Sequence, residues 1–365
     1  MAAARTKPSK IKPILMTAIK LLLAAALIVW ILRQGALDLD KVKMTLSRWD
    51  FALALGVLSF LTLLFNTWRW LILLRSQGFK ASFGQTLSLS LIGLFFNFAM
   101  PGGVGGDVVK GYYLTRDFPH QKMAAVVSVL MDRLIGFFVM LLAASMASLV
   151  FWDRLDHDPR LLGIALSTLG ATSAFLLVLV LSLSRRLQIP LKRGVDRLKN
   201  FPGYEAFAKV YRALHAYRKH PKVVLQALAL ALVNQVLLVI FFALIAVAVG
   251  EGEFDHAVLW FCIPIGLVVQ ALPLAPAGVG VGQAAFFFLF EAALQRPTQV
   301  GTVGITVMQA LQFALGLIGA AIYLRRGRHM PSAAELAETQ STNESTNEAV
   351  TETASKADAK VNGDA

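Results

Sequence analysis

The chain has 365 residues, 56% of them apolar and 16% charged, with a mean hydropathy of +0.63. Those values exclude an ordinary soluble domain and describe a polytopic membrane protein. One cysteine, Cys262, leaves no internal disulfide, and the six histidines have no metal-ligand spacing, so neither a metal nor another cofactor is expected. The net charge of +13 is divided among segments between apolar runs, the pattern of inward-facing membrane loops and anionic lipid rather than of a nucleic-acid surface.

In chain order, a basic N-terminus at 1–13, carrying Arg5, Lys7, Lys10 and Lys12, precedes a 19-residue apolar run at 14–32. That run is longer than a signal-peptide core and is not followed by a polar cleavage region, so it reads as an uncleaved anchor. Further runs long enough to span a bilayer lie at 51–74, 123–151, 161–183, 223–249 and 298–324. Two other apolar stretches, at 86–110 and 257–291, are interrupted by proline and glycine. The segment from 331 to 365 is rich in Ala, Glu, Thr, Ser and Asn, a composition that predicts a disordered tail.

Charge sets the expected topology. The connection at 184–222 carries eleven Lys or Arg against Asp196 and Glu205, which places it on the cytoplasmic side. The basic N-terminus and the run Arg325, Arg326, Arg328 follow the same rule, putting both termini inside. If the stretch at 86–110 crossed fully, the basic connection would fall outside. A re-entrant hairpin or broken helix restores the parity, and the same count applies to 257–291. The expected fold is therefore all-α: six full transmembrane helices plus two interrupted segments, arranged as an inverted repeat of half-repeats 14–151 and 161–324. Pro101-Gly102-Gly103-Val104-Gly105 aligns with Pro276-Ala277-Gly278-Val279-Gly280 at a constant offset of 175, and a weaker similarity joins 129–134 to 306–311. Paired interruptions in an inverted repeat point to a substrate site.

Irregular backbone is tolerated at membrane depth only where protein buries it or a wet cavity meets it. In the first interruption, Gly105 and Gly106 precede Asp107, which reads as an N-cap, and Lys110 follows one turn later. Free N–H groups at such a helix start, with Lys110 beside them, suit a phosphate; the competing reading is that the glycines only let helices pack closely. Asp132 and Arg133 fall inside an apolar span, where charge is costly and seeks a partner. Arg133 is placed to meet a lipid phosphate or Asp107, and Asp132 to pair with Lys110 or carry a proton. Asn66, Trp68, Arg69 and Trp70 read as an interfacial aromatic belt with a snorkelling arginine. Gln270, Gln283, Gln309 and Gln312 supply uncharged polar groups that bind a headgroup or tie helices together. Within 184–222, Phe207, Val210, Tyr211 and Leu214 recur at helical spacing opposite Lys209, Arg212 and Lys219, the pattern of an amphipathic helix on an anionic leaflet.

The segment Asn97 to Asp107, followed by Asp132-Arg133-Leu134-Ile135-Gly136 and later Pro276 to Gly280, resembles the transmembrane, flippase-like domain of the lysylphosphatidylglycerol synthase family over about residues 14–325. In full-length synthases that domain is associated with moving the aminoacylated lipid across the bilayer, and a separate soluble domain makes it. No such domain is expected in this sequence, so the resemblance implies no aminoacyl transfer. Two departures stand out: members often carry an acidic residue where this chain has Gln283, and an arginine common in the last span is absent near Gln309 and Ala310. The resemblance implies a plasma-membrane translocator of an anionic phospholipid or lipid-linked substrate. Its candidate site comprises Pro101, Gly102, Gly103, Gly105, Gly106, Asp107, Lys110, Asp132, Arg133, Pro276, Gly278, Gly280 and Gln283. A noncatalytic scaffold for a partner lipid-modifying enzyme is the alternative. A headgroup transferase or phosphatase is disfavoured, because no nucleophile or metal motif is present.

Overall fold

A computed structural model of the chain describes residues 29, 33, 37–100, 105–152, 159–183, 213–252, 255–272 and 274–326. The N-terminal segment at 1–13, the first predicted span except Val29, the tail at 331–365 and the part of the basic connection before 213 lie outside them. So do Pro101, Gly102 and Gly103. Among the described residues there are ten α-helices and no strand. They are α1 (Leu39–Ser47), α2 (Trp49–Ser76), α3 (Phe83–Ala99), α4 (Gly105–Asp117), α5 (Lys122–Val150), α6 (Pro159–Leu183), α7 (Pro221–Ala248), α8 (His256–Gln270), α9 (Val281–Leu294) and α10 (Val300–Arg325).

Five predicted spans coincide with α2, α5, α6, α7 and α10 to within a few residues. Their outward side chains, including Leu53, Phe60, Met146, Leu177, Ile240 and Leu317, are large, apolar and exposed. Such a surface is stable against lipid and would aggregate in water. The protein is an all-α polytopic membrane protein. A sixth apolar stretch of spanning length, Pro276–Leu294, includes a 3-10 turn, and its regular part α9 has only 14 residues. At 1.5 Å per residue, α9 is about 21 Å long and α3 about 26 Å, each short of a hydrocarbon core of about 30 Å. Both interrupted stretches therefore form helix–break–helix hairpins, α3 packed on α4 and α8 on α9.

Local sequence starts and stops these elements by repeated devices. Ser82 caps α3, accepting from the Gln85 N–H at 3.1 Å while the Gln85 amide reaches back. Asp255 caps α8 in the same role, accepting from the Ala257 N–H at 2.9 Å. Both second spans close alike. Gly78 at φ +87° and Gly250 at φ +84° turn the chain, and the N–H groups of Phe79 and Glu251 donate to Leu74 and Ala246 five residues back. That bond pattern is a Schellman stop, which needs a left-handed residue that glycine adopts without strain.

Helix pairing follows one rule in both halves. The first arm of each hairpin lies along the last span of the other half, α3 on α10 and α8 on α5, while the two second spans α2 and α7 cross each other. At that crossing the Asn234 amide donates to Asn66 Oδ1 at 2.7 Å, so Asn66 ties helices rather than marking an interface. The crossing of α3 and α10 is close because Gly316 and Gly319 present bare backbone to Phe95 and Leu91.

Candidate functional site

The first hairpin gathers charge. Asp107 sits in the first turn of α4, which already begins at Gly105 and runs on to Asp117, so it is an interior residue rather than the expected N-cap. Its carboxylate Oδ2 accepts from Arg133 Nε on α5. Lys110 Nζ lies 3.9 Å from the other oxygen, Oδ1, and 5.3 Å from the centre of the Trp70 ring. The Arg133 side chain remains 42% exposed, whereas that of Asp107 is 18% exposed. The Arg133 side chain is therefore the most accessible of the three, that of Lys110 being 20% exposed.

Asp132 does not meet Lys110. Arg69 Nε on α2 donates to Asp132 Oδ1 at 2.7 Å, and the two side chains are only 9% and 17% exposed. The expected snorkelling arginine is thus a buried intramembrane ion pair, because a carboxylate one helix away offers more than the distant interface. Gly136, one turn beyond Asp132, leaves the space that the guanidinium fills; a Cβ there would lie 3.4 Å from Arg69 Nη1. Trp70 is likewise buried, its indole donating to Ser128 Oγ at 3.3 Å, and Trp68 alone of that group is exposed. The residues that sequence reasoning missed are Arg69 and Asn97. Opposite charges inside two apolar spans were the available signal for the first.

Asn97 explains the glycines. Its Oδ1 accepts from the Gly106 N–H at 3.0 Å, and a Cβ on Gly106 would sit 2.1 Å from the Gly93 carbonyl oxygen. Gly106 is therefore a close-approach residue, and the helix start offers one donor fewer to a ligand. Gly105 is buried against Met100.

The second hairpin gathers amides. Gln283 Oε1 accepts from the Gly280 N–H at 2.7 Å, and its Nε2 donates to Gln309 Oε1 at 2.8 Å. Gln309 and Gln270 both donate to the Ala277 carbonyl, at 3.4 and 3.2 Å. Ala277 holds φ 49°, and Gly278 and Gly280 hold φ +68° and +82°, so the turn after Pro276 is left-handed in three places. Gln283 and Gln309 are 3% and 5% exposed. Here the glutamines tie helices. The weak repeat between 129–134 and 306–311 aligns Asp132 with Gln309, and the structure gives both the job of joining their span to a neighbour.

The structure thus brings Gly105, Gly106, Asp107, Lys110 and Arg133 together at one break and Pro276, Gly278, Gly280 and Gln283 at the other. Asp132 stands beside the first group but faces α2. Among the described residues no group of His, Cys, Asp or Glu is placed to hold a metal ion.

Two hairpins of short helices, the first arm of each lying along the last span of the other half of a helical bundle, define a class of polytopic membrane protein. The family model for the lysylphosphatidylglycerol synthase TM region matches residues 17–320, and the chain belongs to that family. Membership ties it to the metabolism or transport of membrane lipid. No curated protein and no solved structure matches the chain.

Proposed function

We propose that this protein moves a phospholipid or a lipid-linked anionic molecule between the leaflets of the plasma membrane, with both termini cytoplasmic. The observation that carries the reading is the cluster of Arg133 and Lys110 around Asp107 at the first break, with the arginine side chain 42% exposed. A partly buried carboxylate between two cations occupies the place that a headgroup phosphate would take. Arginine grips a phosphate through two parallel bonds, whereas Lys110 adds a point charge. An entering phosphate displaces Asp107 from Arg133, and Asp107 returns when the lipid leaves, so neither cation is stranded without an anion at low dielectric. No covalent step is involved, and the residues at the break only bind and release.

The orientation follows from the basic segments at 184–222 and after Arg325, which favour the cytoplasmic side. The second hairpin, held by neutral amides, is the support against which the first one moves.

The test is headgroup-specific translocation by the full chain in vesicles, with phosphatidylglycerol, an aminoacylated lipid and a polyprenyl phosphate as the panel. Arg133→Ala should abolish transport of the preferred lipid, Arg133→Lys should retain part of it, and Asp107→Asn should slow release. Folded protein that moves none of the panel would favour a scaffold for a lipid-modifying enzyme instead.

A further inference from the structure

The two cations that flank Asp107 are held in different ways. Arg133 reaches the carboxylate from α5 with its side chain 42% exposed, whereas that of Lys110 is 20% exposed. The Lys110 stem lies across Gly93 of α3, where an added Cβ would come within 2.7 Å of Lys110 Cε and 2.8 Å of its Cγ. Gly93 therefore leaves the channel that the stem occupies. The ammonium at the end of the stem stands over the Trp70 ring, 5.3 Å from its centre and inside the reach of about 6 Å for a cation–π contact. Asp107 Oδ1, at 3.9 Å, is a distant partner, so the ring is the contact that remains when the carboxylate turns away.

Trp70 is itself pinned. It is buried, and its indole N–H donates to Ser128 Oγ of α5 at 3.3 Å. The Ser128 hydroxyl donates in turn to the Ala125 carbonyl at 2.7 Å, which leaves its lone pairs to accept from the indole. A buried indole N–H is costly to leave without a partner, so this bond fixes which way the ring faces. The connection runs from Ala125 and Ser128 on α5, through Trp70 on α2, to Lys110 on α4. Arg133 stands five residues beyond Ser128 on the same α5, about 7.5 Å along its axis. One helix thus sets both cations, Arg133 through its own side chain and Lys110 through the indole.

We propose that Trp70 is a positioning residue for the headgroup site: pinned by Ser128, its ring holds the Lys110 ammonium in place, so that Lys110 is the standing charge and Arg133 the side chain that exchanges Asp107 for phosphate. Trp70 touches no ligand and acts through Lys110. An aromatic face suits this task because it attracts the ammonium without carrying a formal charge. A second carboxylate there would cancel the positive charge that a phosphate needs. The role in binding rests on the function proposed above, whereas the placement of Lys110 does not.

The placement is read without transport. The full chain in detergent is treated with a limiting amount of acetic anhydride, and acetylation of Lys110 is compared by peptide mass spectrometry with that of the exposed Lys80 and Lys122. In the native chain Lys110 should react several-fold more slowly than either. Trp70→Leu should raise its rate about fivefold, and Ser128→Ala, which keeps the ring but removes its pin, about twofold. Leu71→Ala is the packing control: Leu71 is buried in the same core as Trp70, and its truncation should leave Lys110 unchanged. Should Trp70→Leu fail to fold, Ser128→Ala and the native comparison decide. Phosphatidylglycerol translocation in vesicles gives the second reading. Trp70→Leu should raise the lipid concentration for half-maximal rate about fivefold with the maximal rate kept, and should add nothing to Lys110→Met. A native Lys110 as reactive as Lys80, a Trp70→Leu rate equal to the native one, or a rise in Leu71→Ala as large as that in Trp70→Leu would each overturn the proposal. So would a Trp70→Leu defect that persists in full beside Lys110→Met. A chain that moves no lipid, but whose Lys110 answers to Trp70 and not to Leu71, would defeat the transport reading and leave the placement standing.

Discussion

The two hairpins occupy corresponding places in one plan, yet they are held by opposite chemistry. At the first break, two carboxylates and three cations meet within α2, α4 and α5: Asp107 with Arg133 and Lys110, Asp132 with Arg69. At the second, Gln270, Gln283 and Gln309 satisfy one another and the turn backbone without a formal charge. A neutral amide network costs little to bury once its bonds are made, and it holds one arrangement. Ion pairs at the same depth can exchange partners with an incoming ion, which is what a site that must fill and empty requires. The difference teaches that equal topology does not mean equal duty: one hairpin has the means to bind, and the other the means to stay still.

The sharpest way to break this contrast is Arg69→Ala. It strands the Asp132 carboxylate in a dry environment and should cost about 3–5 kcal/mol. The double variant Arg69→Met, Asp132→Leu should recover most of that loss, and denaturant unfolding in detergent reads both. Next comes Gly106→Ala, which drives a Cβ to 2.1 Å from the Gly93 carbonyl and should cost about 1–3 kcal/mol by separating α3 from α4. Gly111→Ala, on the same helix with nothing near its Cβ, should instead stabilise by up to about 1 kcal/mol. In the second hairpin, Gln283→Ala removes three neutral hydrogen bonds and leaves the Gly280 N–H without its partner, and should cost about 1–3 kcal/mol. A loss as large as that of Arg69→Ala would end the distinction between the two.

How much of this the sequence shows depends on the length scale of the cause. Five spans and both interruptions are legible because about 20 apolar residues, or a Pro-Gly break among them, are local patterns. The grouping of Gly105, Gly106, Asp107, Lys110 and Arg133 is legible in part, since α4 carries four of them and only Arg133 comes from elsewhere. Arg69 is not. Its position near one end of an apolar run reads as snorkelling until α5 brings Asp132 within reach, and that is a tertiary fact. Leu214 fails in the same way: Phe207, Val210 and Tyr211 of its stripe lie outside the described residues, but Leu214 itself packs with Leu73 and Met131, and Tyr217 donates to the Leu73 carbonyl, partners that no local pattern reveals. The repeated stops at Gly78 and Gly250 lie in unrelated sequence, and only their φ values and bonds reveal the match.

The smallest expected effect concerns pH. Burial, and then the charge of Arg218, hold the His215 imidazole below its ordinary value of 6.5, while burial, with Asp132 second, pushes the Tyr217 phenol upward. A released segment binds a proton at His215 more readily than the docked one, so docking is fully favoured above 6.5 and weakens as pH falls from there toward the lowered value. Tryptic cleavage after Arg218 should therefore be faster from protein preincubated near pH 5 than near pH 7.5, and His215→Gln should remove the difference.

The different chemistry of the two hairpins has a consequence of another kind. Two copies of a single half-length chain would carry the same residue at each repeated position, and every substitution in one copy would appear in the other. A charge placed at one break would then stand at both, doubling its burden of unsolvated ions. Joining the halves in one polypeptide releases that constraint. Asp132 and Gln309, aligned by the repeat but different in charge, are a pair that two copies of one half could not carry.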